Sequence, residues 1–253
     1  MIGYRVAWTG LGLALLAALA ALSSGLGHRW GWWDFGAGFS GLKWALFAGL
    51  AACATSAFGA IVARPGGQRR GFVVALSGLA IGATVVWVPW QALKQIKALP
   101  AIHDISTDLL DPPCFSAVLP LRGPQSNSTD YGGSAIATLQ RQAYSDIQPI
   151  EVTLDPHQAF TIALEVARDL DWEVVASAPG AGRIEATDTT LWFGFKDDVV
   201  IRITSHSPMT RIDLRSVSRI GGSDAGANAK RIRKFIRSFN NAYKMVLIGR
   251  NTG

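Results

Sequence analysis

The sequence is poor in the residues that build disulfide frameworks and metal sites. It contains two cysteines and four histidines among 253 residues. Cys53 lies in a long apolar run and Cys114 in a polar region, so we do not expect a disulfide between them. The histidines show neither the helical zinc spacing nor a nearby cysteine cluster; they are His28, His103, His157 and His206. We therefore predict no metal, no cofactor and no catalytic cysteine.

Acidic residues are almost missing from the first 97 positions, where Asp34 stands alone. The basic residues in this part lie between or beside apolar runs, and from Ala101 onward acids and bases nearly cancel. The net charge of +6 is therefore mainly a property of loops that flank apolar segments. Because the excess charge belongs to these loops, it does not indicate nucleic-acid binding, and we expect no nucleic-acid partner.

Three apolar segments are long enough to cross a bilayer, which needs roughly 20 residues. They span about 4–22, 42–63 and 71–90, and they divide region 1–97 into three predicted transmembrane helices. Their interiors hold no acid, base or histidine, which argues against a transporter or pump. The first segment has a second interpretation as a signal peptide, because Arg5 precedes its apolar core and Ala18-Leu19-Ala20 resembles a cleavage site.

The arginines between the spans predict their orientation. Loop 64–70 holds three arginines, whereas loop 26–41 holds one arginine and one aspartate. By the positive-inside bias, loop 64–70 faces the cytoplasm. The N-terminus is then cytoplasmic, and everything after Trp90 lies outside, in the periplasm of a Gram-negative bacterium. The sequence thus predicts a multi-pass protein of the inner membrane that contacts membrane lipids.

Residues 98–133 are predicted to be mostly irregular. Turn-forming pairs such as Pro112-Pro113, Gly123-Pro124 and Gly132-Gly133 interrupt this region too often for a long helix or strand. We expect a linker, or a segment that wraps over the following domain or contacts another protein. The triplet Asn127-Ser128-Thr129 fits a glycosylation acceptor, but the predicted bacterial topology favours a chance match.

Residues 134–248 carry the pattern of one α+β domain outside the cytoplasm. A short strand at 150–154 precedes a helix that Asp155-Pro156 opens. A hairpin follows around 179–182, then two half-buried strands of alternating polarity and a final helix. The order β-α-β-β-β-β-α predicts an antiparallel sheet with both helices packed on one face.

A family resemblance rests on four stretches of this region. They are "IHDISTDLLDPP", "DWEVV", "GRIEATDTTLWFGFKDDVVIRI" and "RIDLRSVSRIGGSDAGANAKRI". Together they resemble the uncharacterised family called domain of unknown function 1499, over roughly Ile102 to Phe239. The resemblance implies a membrane-anchored or exported bacterial domain and carries over no catalytic residue. Many members have an asparagine and a cysteine in the opening motif. This chain instead has Pro113-Cys114 followed by Phe115, which puts any shared role of Cys114 in doubt.

The charged residues near the end of the chain are the candidate binding site. Asp197 and Asp198 are adjacent in a predicted strand, so their side chains point to opposite faces. If one of them faces Arg215 or Arg219 on the next strand, a structural ion pair is the natural interpretation. The alternative is a polar cleft for a ligand or substrate, formed by Asp198, Arg215, Arg219 and Asp224.

The start of the final helix has two interpretations. Ser223 and Asp224 could bind an anion with the amides of Gly221-Gly222, aided by the charge of Arg219 or Arg231. A plain helix N-cap explains the same residues.

A basic run on the final helix is predicted to form a solvated face opposite the apolar stripe. A surface for anionic lipid headgroups or an acidic partner is the second interpretation. The run comprises Lys230, Arg231, Arg233, Lys234 and Arg237.

Two functions of different classes remain. The first is a non-catalytic anchoring, scaffold or accessory subunit whose outer domain contacts other membrane or envelope proteins. The second is an envelope enzyme, or a small-ligand or lipid-binding protein, that uses the Asp/Arg cleft. The uncharged spans, and the lack of a nucleophile with its base, favour the first.

Overall fold

The computed structural model describes residues 2–63 and 69–251. The chain forms two compact units. The first consists of Met1–Gln95 with Thr190–Gly194, and the second of Ile96–Thr189 with Phe195–Gly253.

The first unit is built from three long helices: α1 (Ile2–Arg29), α2 (Phe35–Val62) and α3, which extends from Arg69 to Ala98. All three are long and apolar enough to cross a membrane. The expected loop 26–41 is largely helical, because α1 continues to Arg29 and α2 begins at Phe35. Asp34 starts α2, since its carboxylate accepts the amide of Ala37 at 3.0 Å. Loop residues 64–68 lie outside the described residues, so the orientation they predict stays a prediction.

Small residues let these helices approach closely. A Cβ at Gly10 of α1 would lie 2.9 Å from the backbone nitrogen of Ser56 in α2. A Cβ at Gly78 of α3 would lie 2.9 Å from the backbone nitrogen of Leu11 in α1. Inside a bilayer the lipid tails are as apolar as the helices, so the hydrophobic effect does not drive the helices together. Close packing through small residues stabilises their association instead.

Segment Thr190–Gly194 belongs to the first unit through contacts with α1. The indole Nε1 of Trp192 donates to the carbonyl of Leu22 at 3.1 Å. Arg29 Nη1 donates to the carbonyls of Thr190 and Leu191 at 2.8 and 2.7 Å. The end of α1 thus holds a loop that is distant in sequence.

The second unit is an α+β domain, as predicted. Its antiparallel sheet has six strands: β1 (Asp104–Ser106), β2 (Ile150–Val152), β3 (Glu173–Ala178), β4 (Arg183–Thr189), β5 (Lys196–His206) and β6 (Met209–Ser218). The order across the sheet is β1-β6-β5-β4-β3, and β2 also pairs with β6. Its helices are α4 (Gly133–Ala143), α5 (Pro156–Asp169) and α6 (Ala227–Asn251).

One face of the sheet, here called the helix face, packs against α5 and α6. Ile201 of β5 and Leu214 of β6 are buried there with Phe160 of α5 and with Phe235 and Phe239 of α6. The apolar stripes predicted for these elements therefore meet in one core. The polar residues that alternate with them point to the opposite face.

The opposite face is buried as well, which corrects the prediction of half-buried strands. Val200 and Val217 are fully buried under Phe115 and Val118. The latter two belong to residues 107–132, here called the cover segment. Its single regular piece is the short 3-10 turn Leu119–Leu121. A segment without regular periodicity gives no sequence signal for the surface that it buries.

Two elements at the edges of this segment were not predicted. Strand β1 pairs with β6 from Asp104 to Ser106, and helix α4 follows the cover segment. Gln140 of α4 accepts the amide of Ser106 at 3.0 Å and donates to its carbonyl. The amide side chain therefore takes the place of a neighbouring strand at this edge.

Candidate functional site

The charged residues form two networks, one on each face of the sheet. In antiparallel pairing, residues directly opposite one another share a face. Asp198 lies opposite Val217, and Arg215 lies opposite Val200, so these side chains face the cover segment. Asp197 lies opposite Ser218 and faces the helices. Strand alternation thus separates the two adjacent aspartates, as the sequence predicts.

Asp198 is the centre of the network under the cover segment. Its carboxylate is fully buried and forms a bidentate pair with Arg219, with N–O distances of 3.0 and 2.8 Å. Arg122 of the cover segment donates to the same carboxylate. The hydroxyl of Thr187 donates to it at 2.8 Å. Two guanidinium groups and one hydroxyl therefore satisfy both oxygens.

Arg215 takes a different partner from Asp198. Its guanidinium is buried and binds Asp104 at 3.0 and 2.7 Å. It also donates to two carbonyls of the cover segment, those of Pro113 and Thr129. The ring of Tyr131 lies 5.4 Å from the guanidinium carbon, within the range of a cation–π contact. Arg215 thus joins β1, β6 and the cover segment.

Glu185 fastens the cover segment through backbone amides. Its carboxylate on β4 is fully buried and accepts the amides of Ser116 and Val118 at 3.0 Å. A carboxylate that accepts backbone amides makes charge-assisted hydrogen bonds, which are stronger than neutral ones. The irregular cover segment makes few backbone–backbone hydrogen bonds. The Glu185 carboxylate accepts two of its amides instead.

Asp108 is the third point at which the cover segment meets a strand. Its carboxylate lies 3.2 Å from Arg202 and 3.0 Å from Arg211. Burial raises the pKa of Asp108. The amides of Asp111 and Leu110 and the charges of Arg211 and Arg202 outweigh burial, so the net shift is downward.

Arg231 belongs to the network on the helix face, which corrects its predicted place on a solvated basic face. It is buried and binds Asp197 at 2.6 Å and Asp188 at 2.7 Å. It also donates to the hydroxyl of Ser216 at 3.1 Å. Asn228, one turn earlier on α6, accepts from Ser216 at 2.7 Å. These contacts fix α6 to the sheet.

The remaining residues of the basic run differ among themselves. Lys230, Lys234 and Arg237 are exposed. Arg233 is partly buried and binds Asp146 at 2.6 Å. The basic face is therefore smaller than the sequence predicts.

Ser223 and Asp224 bind the backbone that leads into α6. The Asp224 carboxylate accepts the amide of Gly226 at 2.8 Å and that of Asn228, in the first turn, at 2.9 Å. Ser223 accepts the amide of Ala225 at 3.4 Å. Burial raises the pKa of Asp224, while these backbone amides oppose the rise. This is the geometry of helix capping.

The predicted site residues therefore do not line one cleft. Asp198 and Arg219 form a pair, Arg215 joins Asp104 beneath the same cover, and Arg231 lies on the opposite face. Ser223 and Asp224 bind local backbone. Within the part of the chain that the structure describes, no group of histidine, cysteine or acidic side chains could hold a metal ion.

Comparison with known families matches residues 104–239 to the family described as "Protein of unknown function (DUF1499)". The match covers more than half of the 253 residues. The chain belongs to the DUF1499 family. The DUF1499 match begins at Asp104, the partner of Arg215, and ends at Phe239 in the core. It therefore contains β1, the cover segment, the sheet and the packed part of α6. A search of curated proteins found no match.

Sequence reasoning missed several members of the DUF1499 networks. Asp104 lies in one of the stretches that carry the resemblance, so that motif could have indicated it. Glu185 lies in another of these stretches, but neither Glu185 nor Arg122 could be assigned a partner, because their partners are far away in the sequence. Asn228 also lies in one of these stretches, and the structure places its side chain between α6 and β6, where it bonds Ser216 and Ser218.

Replacing Asp198 with Asn tests the network under the cover segment. The variant keeps the shape of the side chain but leaves two guanidinium groups without their anion. Breaking a buried ion pair from one side costs about 3–5 kcal/mol, so the free energy of unfolding should fall by about that amount. Chemical denaturation of the full-length protein in detergent measures it. Asp169→Asn, at an exposed position, should change little, and equal stability of the two variants would contradict the assignment.

Replacing Asp108 with Asn tests the pH dependence of the cover segment. Because the folded pKa of Asp108 lies below its ordinary value of 3.8, the stability from its charge is present above pH 3.8. That stability is lost as the pH falls through the folded pKa. The wild type should therefore melt at a higher temperature than Asp108→Asn at pH 7, and this difference should begin to shrink as the pH falls below 3.8. A difference that does not shrink below pH 3.8, or one that Asp169→Asn reproduces, would refute this.

Proposed function

We propose that this DUF1499 protein is a membrane-anchored, non-catalytic accessory or scaffold subunit. Its three N-terminal helices hold it in the inner membrane, and its α+β domain lies in the periplasm. There the domain contacts other membrane or envelope proteins. The observation that carries this proposal is the saturation of the buried charges by one another and by the cover segment.

Charged side chains whose hydrogen-bonding positions are already occupied are poorly suited to catalysis or ligand binding. Asp198 already accepts from two arginines and a threonine, and Arg215 already binds a carboxylate and two carbonyls. A catalytic acid or an anion-binding arginine needs a donor or acceptor that is not already bonded and that can reach the substrate. The geometry therefore supports a structural role better than the alternative of an enzyme or ligand-binding protein with an Asp/Arg cleft.

The outer surface of the cover segment offers a place for a protein partner. Leu110 is 92% exposed, and Leu119 and Leu121 are 43% and 53% exposed. Ile220 is 38% exposed and follows Arg219, whose Nη1 donates to the carbonyl of Leu121. Exposed apolar side chains on a surface that is held in one shape are typical of protein contact sites. The networks beneath hold this irregular surface in one shape.

The accessory role predicts partners that depend on this surface. Affinity purification from gently solubilised membranes should recover a membrane or envelope protein in stoichiometric amount. Leu119→Ser combined with Leu121→Ser should reduce the recovery at least tenfold, because a few side chains carry most of the binding energy at such contacts and these two lie on the proposed surface. Leu139→Ser replaces a similarly exposed leucine on α4 and is the matched control. A monodisperse monomer without a partner would count against the accessory role.

The two native cysteines provide a test of the proposed topology. Cys114 is exposed in the cover segment, and Cys53 lies in α2. A membrane-impermeant maleimide should label Cys114 in cells whose outer membrane has been permeabilised, because the domain is placed in the periplasm. Cys114→Ser should abolish the label, and Cys53→Ser should retain it. Labelling of Cys114 only after the inner membrane is lysed would reverse the topology.

A further inference from the structure

An apolar groove lies between α2 and α3 in the first unit. Its volume is about 650 Å³, within the range of small-molecule sites. The lining side chains are almost all apolar, and two are tryptophans: Leu50, Cys53, Ala83, Thr84, Val86, Trp87 and Trp90. Trp87 and Trp90 remain 61% exposed in the groove wall.

The helix register places two lysines at one end of this groove. A Cβ at Gly82 would lie 2.9 Å from the sulfur of Cys53, and one at Gly49 would lie 3.2 Å from Val85. In this antiparallel register, residue 43 of α2 lies at about the same height along the helix pair as residue 91 of α3. Lys94 is three residues farther along, so at a rise of 1.5 Å per residue the two lysines differ in height by about 4 Å.

Both lysines also lie on the groove side of their helices. Lys43 precedes Leu50 by seven residues, and Lys94 follows Trp87 by seven. Seven residues make nearly two full turns, so each lysine shares a face with a lining residue. Lys43 and Lys94 are both exposed. The groove is thus apolar along its length and positively charged at one end.

A proline, Pro89, interrupts the backbone hydrogen bonding of α3 beside the groove. It lies inside the helix, between Trp87 and Trp90. A proline lacks the amide that would bond the carbonyl four residues earlier, and its ring presses on that carbonyl, so helices bend at such positions.

We propose that this groove binds one acyl chain of an anionic phospholipid, whose headgroup phosphate pairs with Lys43 and Lys94. The assignment rests on the membrane anchoring proposed above. A zwitterionic lipid fills the groove equally well but gains little from the two lysines. An uncharged helix of a partner protein would leave both ammonium groups without an anion. The combination of apolar length and terminal charge therefore selects an anionic lipid.

Quenching of tryptophan fluorescence tests this site in the full-length protein. The purified protein in detergent is titrated with phosphatidylglycerol carrying brominated acyl chains, or with phosphatidylcholine carrying the same chains. Each basic side chain near a headgroup favours an anionic lipid by about fivefold. Phosphatidylglycerol should therefore bind about 25-fold more tightly than phosphatidylcholine.

Charge variants identify the lysines responsible. Lys43→Gln and Lys94→Gln should each lower the preference about fivefold, and the double variant should remove it. Lys230→Gln combined with Lys234→Gln removes two exposed lysines of α6 and should leave the preference unchanged. Equal affinity of the two lipids for the wild type, or an unchanged preference in the Lys43/Lys94 double variant, would overturn the proposal.

A variant inside the groove tests the contribution of the acyl chain to binding separately from that of the headgroup. Ala83→Phe fills the groove and should weaken binding of both lipids at least tenfold. Ala20→Phe, at an exposed position on α1, should not. If Ala83→Phe instead leaves lipid binding intact and removes a co-purified membrane protein, a partner helix occupies the groove and the proposal is wrong.

Recovery of partners through the cover segment is measured separately. Loss of lipid preference with partners retained overturns the lipid site alone. Lipid preference without any partner overturns the accessory role alone.

Discussion

Burial of charge on both faces of the β5–β6 pair is the constraint on which the second unit depends. A carboxylate or guanidinium removed from water is stable only when paired and hydrogen-bonded. Asp198, Arg215 and Arg231 are all buried, so each needs partners from outside its own strand or helix. The cover segment and α6 supply them, and this requirement fixes where both lie on the sheet.

This requirement also explains how an irregular segment keeps a single conformation. Residues 107–132 have little regular hydrogen bonding of their own, and ordering them costs conformational entropy. Glu185 binds two of their amides, Arg215 binds two of their carbonyls, and Arg122 reaches Asp198. Charge-assisted hydrogen bonds to the backbone thus replace a regular strand ladder, and Phe115 and Val118 add apolar contacts with the sheet. Leucines on the outer side remain available for a partner.

Most of the fold was predictable from local patterns, and the site was predictable only in part. The hairpin around Gly182 and the separation of Asp197 from Asp198 followed from turn chemistry and strand alternation. The pairing of Asp198 with Arg219 was one of the ion pairs expected from the sequence, and it forms because Arg219 directly follows the strand beside β5. The pairing of Arg215 with Asp104 was not, since strand β1 was not predicted.

The sequence by itself determined the three apolar helices, the order of the main strands and helices, and the family. These features depend on composition, periodicity and short motifs, which act over a few residues. Only the tertiary structure decided that both faces of the sheet are buried and that Arg231 points inward. It also decided that the candidate residues divide into two networks rather than one cleft. The physical reason is that a buried charge is defined by its partner, and here most partners lie far away along the chain.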